Sequence, residues 1–132
     1  MGAPENRALI REYLDRIGRG DPSFSDLFAD DIVWWVPPGS ENGGTYEGKA
    51  AVLELIGGGL GQYSSSDPMK FIIEEIVADE DWASVQLILE AKTAKGDDYR
   101  NFYHIAFRIR DGRIALAKEY LDTKHSADIF GH

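Results

Sequence analysis

The stretch Tyr99–Asp122, YRNFYHIAFRIRDGRIALAKEYLD, predicts a β-hairpin, because Asp111-Gly112 suits a tight turn between two strands. One face of the first strand is apolar near the turn and gains phenols and an amide at its far end; its residues are Tyr99, Asn101, Tyr103, Ile105, Phe107 and Ile109. The second strand adds charged and phenolic groups at that same end: Lys118, Glu119, Tyr120 and Asp122. This change from apolar to polar side chains along the strands indicates a sheet that covers a core near the turn and lines a polar-tipped pocket at its far end.

The composition is that of one globular domain. The 132 residues are 43% hydrophobic, with 3 Trp, 6 Tyr and 6 Phe, which argues against disorder. We therefore expect residues 1–132 to form a single domain with a real core. The absence of cysteine excludes disulfides and thiolate chemistry.

Charge and hydropathy narrow the possible partners. A net charge of −9 disfavours nucleic acid and anionic membrane surfaces, and leaves small neutral or apolar ligands open. No apolar run approaches the roughly 20 residues that span a bilayer. The first residues, MGAPENRALIREYL, lack the features of a signal peptide, so we expect a cytoplasmic protein without a membrane partner.

The order of the predicted elements favours an α+β fold. Amphipathic spacing predicts a helix over Pro4–Arg19, and Asp21-Pro22 starts a short helix that reaches Phe28. The strand IVWWV and a helix over Lys49–Leu60 follow. Strands at 69–78 and 82–93 then lead into the hairpin, and residues 126–132 form a tail. Four consecutive strands joined by short turns predict a bent antiparallel sheet with helices on one face.

Glu119 is the strongest candidate for chemistry. It lies between Ala117 and Leu121 on its own strand face, and a carboxylate beside apolar neighbours in a pocket has a raised pKa suited to proton transfer. The alternative is an exposed glutamate, or one paired with Lys118 or Arg113.

The direction of Glu119 depends on the hairpin register. An ideal two-residue turn pairs Ile105 with Lys118, which places Glu119 on the face opposite Asn101 and Tyr103. A β-bulge between Ile114 and Lys118 would restore Glu119 to the pocket face. Both registers remain open.

Several other patterns favour structural roles. The GGGLG run follows a helix and lacks the lysine ending of a phosphate loop, so a helix terminus or a mobile lid is favoured. The histidines have no metal-ligand spacing and are assigned structural or surface roles; they are His104, His125 and His132. The serines of residues 64–66 have no elbow motif. Tyr13 is either a core tyrosine with one hydrogen bond or a pocket donor, and one of Trp34 and Trp35 faces the interior.

From about Asn6 to Asp122 the chain resembles the SnoaL-like and ketosteroid-isomerase-like proteins of the nuclear-transport-factor-like superfamily. The resemblance is carried by YLDRIGRGD, LFADDIVWWVPPGS, YEGKAAVLELI and NFYHIAFRIRDGRIALAKEYLD. It implies a cone-shaped α+β barrel, in which a curved mixed or antiparallel sheet wraps around N-terminal helices and encloses an apolar pocket. Many members are homodimers through the outer sheet face, which here would carry Phe102, His104 and Ala106.

The resemblance also implies site residues. Tyr13 and Asp21 match the spacing of the ketosteroid isomerases, but their two catalytic aspartates fall at Val36 and near Ile105, which disfavours steroid isomerase chemistry. The limonene epoxide hydrolases place their water-activating aspartate at Glu119. Other pocket positions of that family match Asn101 and Tyr103, and its partner arginine and aspartate fall approximately at Glu90 and Lys92.

These patterns together predict a SnoaL-like enzyme that transfers protons on a small apolar molecule. Glu119 would be the acid or base, with Tyr13, Asn101 and Tyr103 as donors and Trp34, Val36 and Leu121 as apolar surroundings. Isomerisation, aldol-type cyclisation, dehydration and epoxide opening all need no cofactor or metal. The alternative is a non-catalytic ligand-binding or dimerisation module of the same fold.

Overall fold

The structure is a computed structural model that describes residues 2–131. Its α-helices are α1 (Ala3–Gly18), α2 (Lys49–Leu60) and α3 (Thr123–Phe130), and a 3₁₀ helix covers Pro22–Leu27. Its strands are β1 (Phe28–Val36), β2 (Gly44–Glu47), β3 (Lys70–Ala78), β4 (Trp82–Lys92), β5 (Asp98–Arg110) and β6 (Arg113–Leu121). Within the described residues, no helix has both the length and the apolar character to cross a bilayer.

The six strands form one open, mixed sheet in the order β2-β1-β6-β5-β4-β3. Neighbouring strands are antiparallel except β1 and β6, which are parallel and pair Trp34 with Ala117. Helices cover the concave face, so the α+β architecture with a curved mixed sheet is confirmed. The parallel pair joins the first and last strands in the sequence, and it brings residues 85 positions apart into hydrogen-bond contact.

Local sequence signals set the bounds of the first helix. The backbone amide of Gly2 donates to Glu5 Oε1 at 3.0 Å, Pro4 lies in the first turn, and Gly20 adopts a left-handed φ of 72° after the last turn. The predicted helix over Pro4–Arg19 is therefore confirmed to within one residue at each end. Its apolar stripe is buried against the sheet at Ile10, Tyr13, Leu14 and Ile17.

The C-terminal segment differs from its prediction. Residues from Ser126 onward were expected to form a tail, yet Thr123–Phe130 is helical. The Asp122 carboxylate caps this helix by accepting from the His125 amide at 3.0 Å, and Gly131 ends it with a φ of 78°. His132 lies outside the described residues. A smaller correction is that Phe28 begins β1 and does not belong to the preceding helix.

The hairpin contains the bulge on which the direction of Glu119 depends. Asp111 and Gly112 both have positive φ, 53° and 73°, as the predicted tight turn requires. Ile109 pairs with Ile114, but Arg108 pairs with Leu116, so that Ala115 is the extra residue. From this point Ile105 pairs with Glu119, and Glu119 shares the face of Tyr103 and Ile105.

Asn6 fastens α1 to the turn between β3 and β4. Its side chain is fully buried, and its Nδ2 donates to the carbonyls of Asp79 and Glu80 at 2.9 and 3.0 Å. We expect Asn6→Ala to lower the free energy of unfolding by about 1–3 kcal/mol, because two carbonyls lose their donor and a small cavity forms. Urea denaturation measures this, with Arg7→Ala as the neighbouring control. Equal midpoints for the two variants would contradict an anchoring role.

Candidate active site

A cavity of about 190 Å³ lies between the concave sheet face and the three helices. Its lining includes most of the residues that the sequence predicted for a site: Tyr13, Trp34, Val36, Tyr103, Glu119 and Leu121. Asn101, the seventh, is absent from the lining. The walls are predominantly apolar, and their polar side chains include those of Glu41, Asn42 and Gln62 as well as the tyrosines and Glu119.

Glu119 brings a carboxylate into this apolar cavity. Its Oε1 accepts a hydrogen bond from Trp34 Nε1 at 3.0 Å. Among the described residues, no other hydrogen bond to this carboxylate is present, so Oε2 is available to a bound molecule. Burial raises the pKa of Glu119, and the indole hydrogen bond opposes that rise only in part. The geometry suits a carboxylate that exchanges a proton with a bound molecule at a higher pH than an ordinary glutamate.

Tyr13 lies on the helical side of the cavity. Its side chain is buried in an aromatic cluster, with ring centroids 5.6 Å from Phe28, 6.4 Å from Trp34 and 5.9 Å from Phe107. Burial, and secondarily the Glu119 carboxylate, raise the pKa of the phenol far above neutral pH. Tyr13 therefore stays protonated and can act as a hydrogen-bond donor.

The two tryptophans of β1 have opposite environments, as strand alternation predicts. Trp34 is 3% exposed and faces the cavity. Trp35 lies on the outer sheet face, where its ring is 5.1 Å from that of Tyr120 and 5.0 Å from Lys118 Nζ. The interior tryptophan is the one that holds Glu119.

Asn101 requires a correction, because the structure does not bring it to the cavity as a substrate donor. Its Nδ2 donates to the Tyr99 hydroxyl at 2.7 Å and to the Asp122 carbonyl at 3.0 Å. Its Oδ1 accepts from the Phe102 amide at 2.8 Å. Both donor hydrogens and the carbonyl are engaged within the protein, so Asn101 lies behind the cavity wall.

The sequence prediction missed residues that close the cavity. Tyr63, in the segment after α2, lines it, as do Ser126 and Phe130 of α3. The Phe130 ring packs 4.9 Å from Tyr99 and 5.7 Å from Tyr63. The cap at Asp122 could have revealed α3, whereas Tyr63 lies outside any periodic pattern.

The partner charges of an epoxide hydrolase are not in the cavity. Glu90 forms an ion pair with Arg100 at 3.1 Å, and Lys92 forms one with Asp98 at 2.6 Å. The side chains of Glu90 and Lys92 therefore pair with residues of β5, and neither position supplies an arginine next to Glu119. The two described histidines are also elsewhere: His104 contacts Ser84 on the outer face, and His125 stacks on Tyr99.

The described residues hold neither a cluster of metal ligands nor a phosphate-binding loop. Over residues 2–131, no three acidic or histidine side chains lie close enough to hold a metal ion. The glycine run forms the last turn of α2 and its cap at Gly61, as expected for a helix terminus. Gly59 contributes backbone to the cavity wall.

Comparison with known proteins identifies the sequence family and the fold. A family described as "SnoaL-like domain" matches residues 10–117. Among curated protein sequences no match was found. Many solved structures share the fold, although at low sequence identity.

Three of these structures illustrate the similarity. An NTF2-like protein of unknown function from Burkholderia pseudomallei has a TM-score of 0.84 at 20% identity, with 97% of this chain and 98% of that one covered. TerC, co-crystallised with polyporic acid, has a TM-score of 0.83 at 18% identity, with 97% and 99% covered. A provisionally named isomerase from Bacillus subtilis has a TM-score of 0.83 at 22% identity, with 97% and 94% covered.

Proposed function

This chain belongs to the SnoaL-like domain family, and we propose that it is an enzyme in which Glu119 transfers a proton on a small, largely apolar organic molecule. The observation that carries this proposal is the Glu119 carboxylate, held on one oxygen by Trp34 and open on the other toward an apolar cavity. Burial raises the pKa of that carboxylate, which brings it closer to the range where a base and its conjugate acid are both accessible.

The reaction belongs to the classes that need only acid–base chemistry: isomerisation, aldol-type cyclisation, dehydration or addition of water to an epoxide. Tyr13 and Tyr103 supply phenol donors, while Trp34, Val36 and Leu121 form apolar surroundings. The relatives agree with this range, since one is named an isomerase and another was crystallised with polyporic acid. No step in these classes requires a cofactor.

A simple probe tests the base without knowledge of the natural substrate. The isoxazole ring of 5-nitrobenzisoxazole opens when a base removes the proton on its ring carbon. The electron pair of the C–H bond becomes part of the new nitrile, and the N–O bond breaks. The ring-opened product is a coloured nitrophenolate. We expect wild-type protein to accelerate this reaction above an equal concentration of acetate. An inert protein would favour the second candidate, a non-catalytic ligand-binding module.

The pH dependence of the rate of this reaction reports the protonation state of Glu119. Only the carboxylate form accepts a proton, so the rate should rise with pH and level off above a midpoint higher than that of an ordinary glutamate, because burial raises the pKa. Trp34→Phe removes the hydrogen bond that lowers this pKa and should move the midpoint to higher pH. Trp35→Phe, on the opposite face of β1, is the matched control. A midpoint unaffected by Trp34→Phe would contradict the assignment.

We also expect a homodimer through the outer sheet face. Phe102 is 52% exposed and Tyr120 47% exposed on neighbouring strands, and Trp35 lies beside Tyr120. Contiguous exposed aromatics of this kind mark interaction surfaces. Phe102→Glu should convert the dimer to a monomer in light scattering coupled to size-exclusion chromatography. Ala50→Glu, at an exposed position of α2 away from the outer sheet face, is the control, and a dimer that survives Phe102→Glu would place the interface elsewhere.

A further inference from the structure

Among the polar groups that line the cavity with Glu119 is the Tyr103 phenol, which lies on the neighbouring strand. We infer that Asn101 and Tyr99 are positioning residues that hold the Tyr103 hydroxyl as a hydrogen-bond donor toward an oxygen atom of the bound molecule. This inference rests on the proposed function, because it assigns the group that would contact the ligand beside Glu119. It follows from four hydrogen bonds behind the cavity wall.

The orientation of the Asn101 amide is fixed by two backbone groups. The Asp122 carbonyl can only accept, so the side-chain atom 3.0 Å from it must be the nitrogen. The Phe102 amide can only donate, so the atom 2.8 Å from it must be the oxygen. The nitrogen is also 2.7 Å from the Tyr99 hydroxyl, to which it therefore donates its second hydrogen.

The direction of the next hydrogen bond follows from burial. Tyr99 is 1% exposed, and its hydroxyl oxygen already accepts from Asn101. Its own hydrogen needs an acceptor, and the Tyr103 hydroxyl, 2.8 Å away, is the remaining partner among the described residues. Tyr99 therefore donates to Tyr103, and the hydrogen of Tyr103 is directed away from Tyr99.

Tyr103 presents this hydrogen at the cavity, where Tyr63 is also within hydrogen-bonding reach, so an oxygen atom of the bound molecule has to replace Tyr63 as its acceptor. Burial raises the pKa of both phenols well above physiological pH, so both stay protonated donors. Tyr103 pairs with Leu121, and Ile105, two residues along the same face, pairs with Glu119. The donor and the carboxylate thus stand on adjacent strands over one cavity floor. A ligand with an oxygen acceptor beside its reacting carbon can contact both.

Asn101 also connects this donor to α3. The Asp122 carbonyl that receives its other hydrogen belongs to the residue capping α3, which in turn brings Ser126 and Phe130 to the cavity. Loss of the amide should therefore disturb the donor and the closing helix together. Tyr99→Phe separates the two effects, because it removes only the hydroxyl and leaves the bond from Asn101 to Asp122.

The nitrobenzisoxazole reaction tests the donor because negative charge develops on the oxygen that leaves. We expect Tyr99→Phe to lower kcat about tenfold, with a smaller change in KM and the same pH midpoint as wild type, and Asn101→Asp to lower kcat by at least as much. In Asn101→Asp an acceptor replaces the donor, so the Tyr99 hydrogen turns back to it and Tyr103 must donate to Tyr99. Tyr46→Phe removes a hydrogen-bonded phenol outside the cavity and serves as the control. Wild-type kcat in Tyr99→Phe would overturn the inference.

Proton NMR of the hydroxyl groups gives a readout independent of turnover and of folding defects in one variant. In wild-type protein with labelled tyrosine, the Tyr99 hydroxyl proton should exchange slowly and show cross-relaxation to the Tyr103 ring. Cross-relaxation of the Tyr103 hydroxyl proton to the Tyr99 ring, with none from the Tyr99 hydroxyl proton to the Tyr103 ring, would reverse the direction and refute the proposal. If Glu119→Gln keeps wild-type turnover, the proposed function fails while this NMR result still decides the hydrogen-bond direction. If Glu119→Gln is inactive and Tyr99→Phe is normal, only the positioning role fails.

Discussion

Replacing Glu119 with glutamine should lower kcat/KM for 5-nitrobenzisoxazole at least about 100-fold, the scale expected for loss of a positioned general base. Glutamine keeps an oxygen that can accept from Trp34 Nε1, now 3.0 Å from the carboxylate, so the geometry of the wall should persist. What it loses is the ability to take a proton. Steady-state absorbance of the released phenolate measures the loss.

The same substitution should stabilise the folded protein at neutral pH. The folded-state pKa of Glu119 is raised by burial, so the native state binds its proton more tightly than the unfolded chain does. Stability from this group is complete at low pH and is lost as pH rises through the folded-state pKa. At pH 7.5 the glutamine variant should therefore have a higher melting temperature than wild type. The increase should be about 4 °C for each 1 kcal/mol of destabilisation that loss of the buried carboxylate removes. Near pH 4 the advantage should vanish.

The control for both measurements is Glu74→Gln, which neutralises an exposed carboxylate on β3. It should leave kcat/KM and the melting temperature close to those of wild type. Retained turnover in Glu119→Gln would remove Glu119 from the mechanism. A melting temperature lowered by the same amount at both pH values would instead indicate that the carboxylate is not destabilised by its surroundings.

Phe107→Ala should be the most destabilising single substitution of those considered, lowering the free energy of unfolding by about 3–5 kcal/mol. Phe107 is fully buried, and its ring lies 5.9 Å from that of Tyr13 and 6.1 Å from that of Trp34. Truncation removes apolar contacts and leaves a void beneath the cavity floor. Because the free energy of unfolding of a native domain is only about 5–15 kcal/mol, this loss is a large fraction of the total stability.

Urea denaturation with graded controls measures this effect. Phe107→Leu keeps most of the volume and should cost clearly less than the alanine variant. Val77→Ala, at a position 62% exposed on β3, should cost about 0.5 kcal/mol or less. If Phe107→Ala and Val77→Ala were equally stable, the aromatic cluster would not be the structural support of the cavity.

Local features of the sequence were sufficient to predict most of the helices, strands and turns. The apolar spacing of α1, the bounds of α2 and the Asp111-Gly112 turn each depend on residues within a few positions of one another, and each agrees with the structure. Strand alternation also placed Tyr99, Ile105 and Phe107 on the buried face of β5. The residue order alone favoured an antiparallel sheet, since pairing of β1 with β6 leaves no local signal.

The candidate site depended on features that periodicity does not record. Glu119 faces the cavity only because Ala115 is an extra residue in β6, and no residue type marks a bulge there. Alternation placed Asn101 on the correct face but could not reveal that both its donor hydrogens are engaged by Tyr99 and Asp122. Tyr63 comes from a segment without regular structure, so only the three-dimensional arrangement reveals it.

The parallel pairing of β1 with β6 has a consequence for how the chain folds. Trp34 and Glu119 are separated by 85 positions, so their contact closes one of the longest loops in the molecule. Until β6 arrives, β1 pairs only with β2 and its other edge has no partner strand, so a partly folded chain would expose that edge. Closure of a loop this long slows folding, because the chain loses conformational entropy before the contacts between β1 and β6 stabilise it. The candidate site around Glu119 is therefore expected to assemble late, and incomplete folding should abolish the proposed activity before it abolishes helix content.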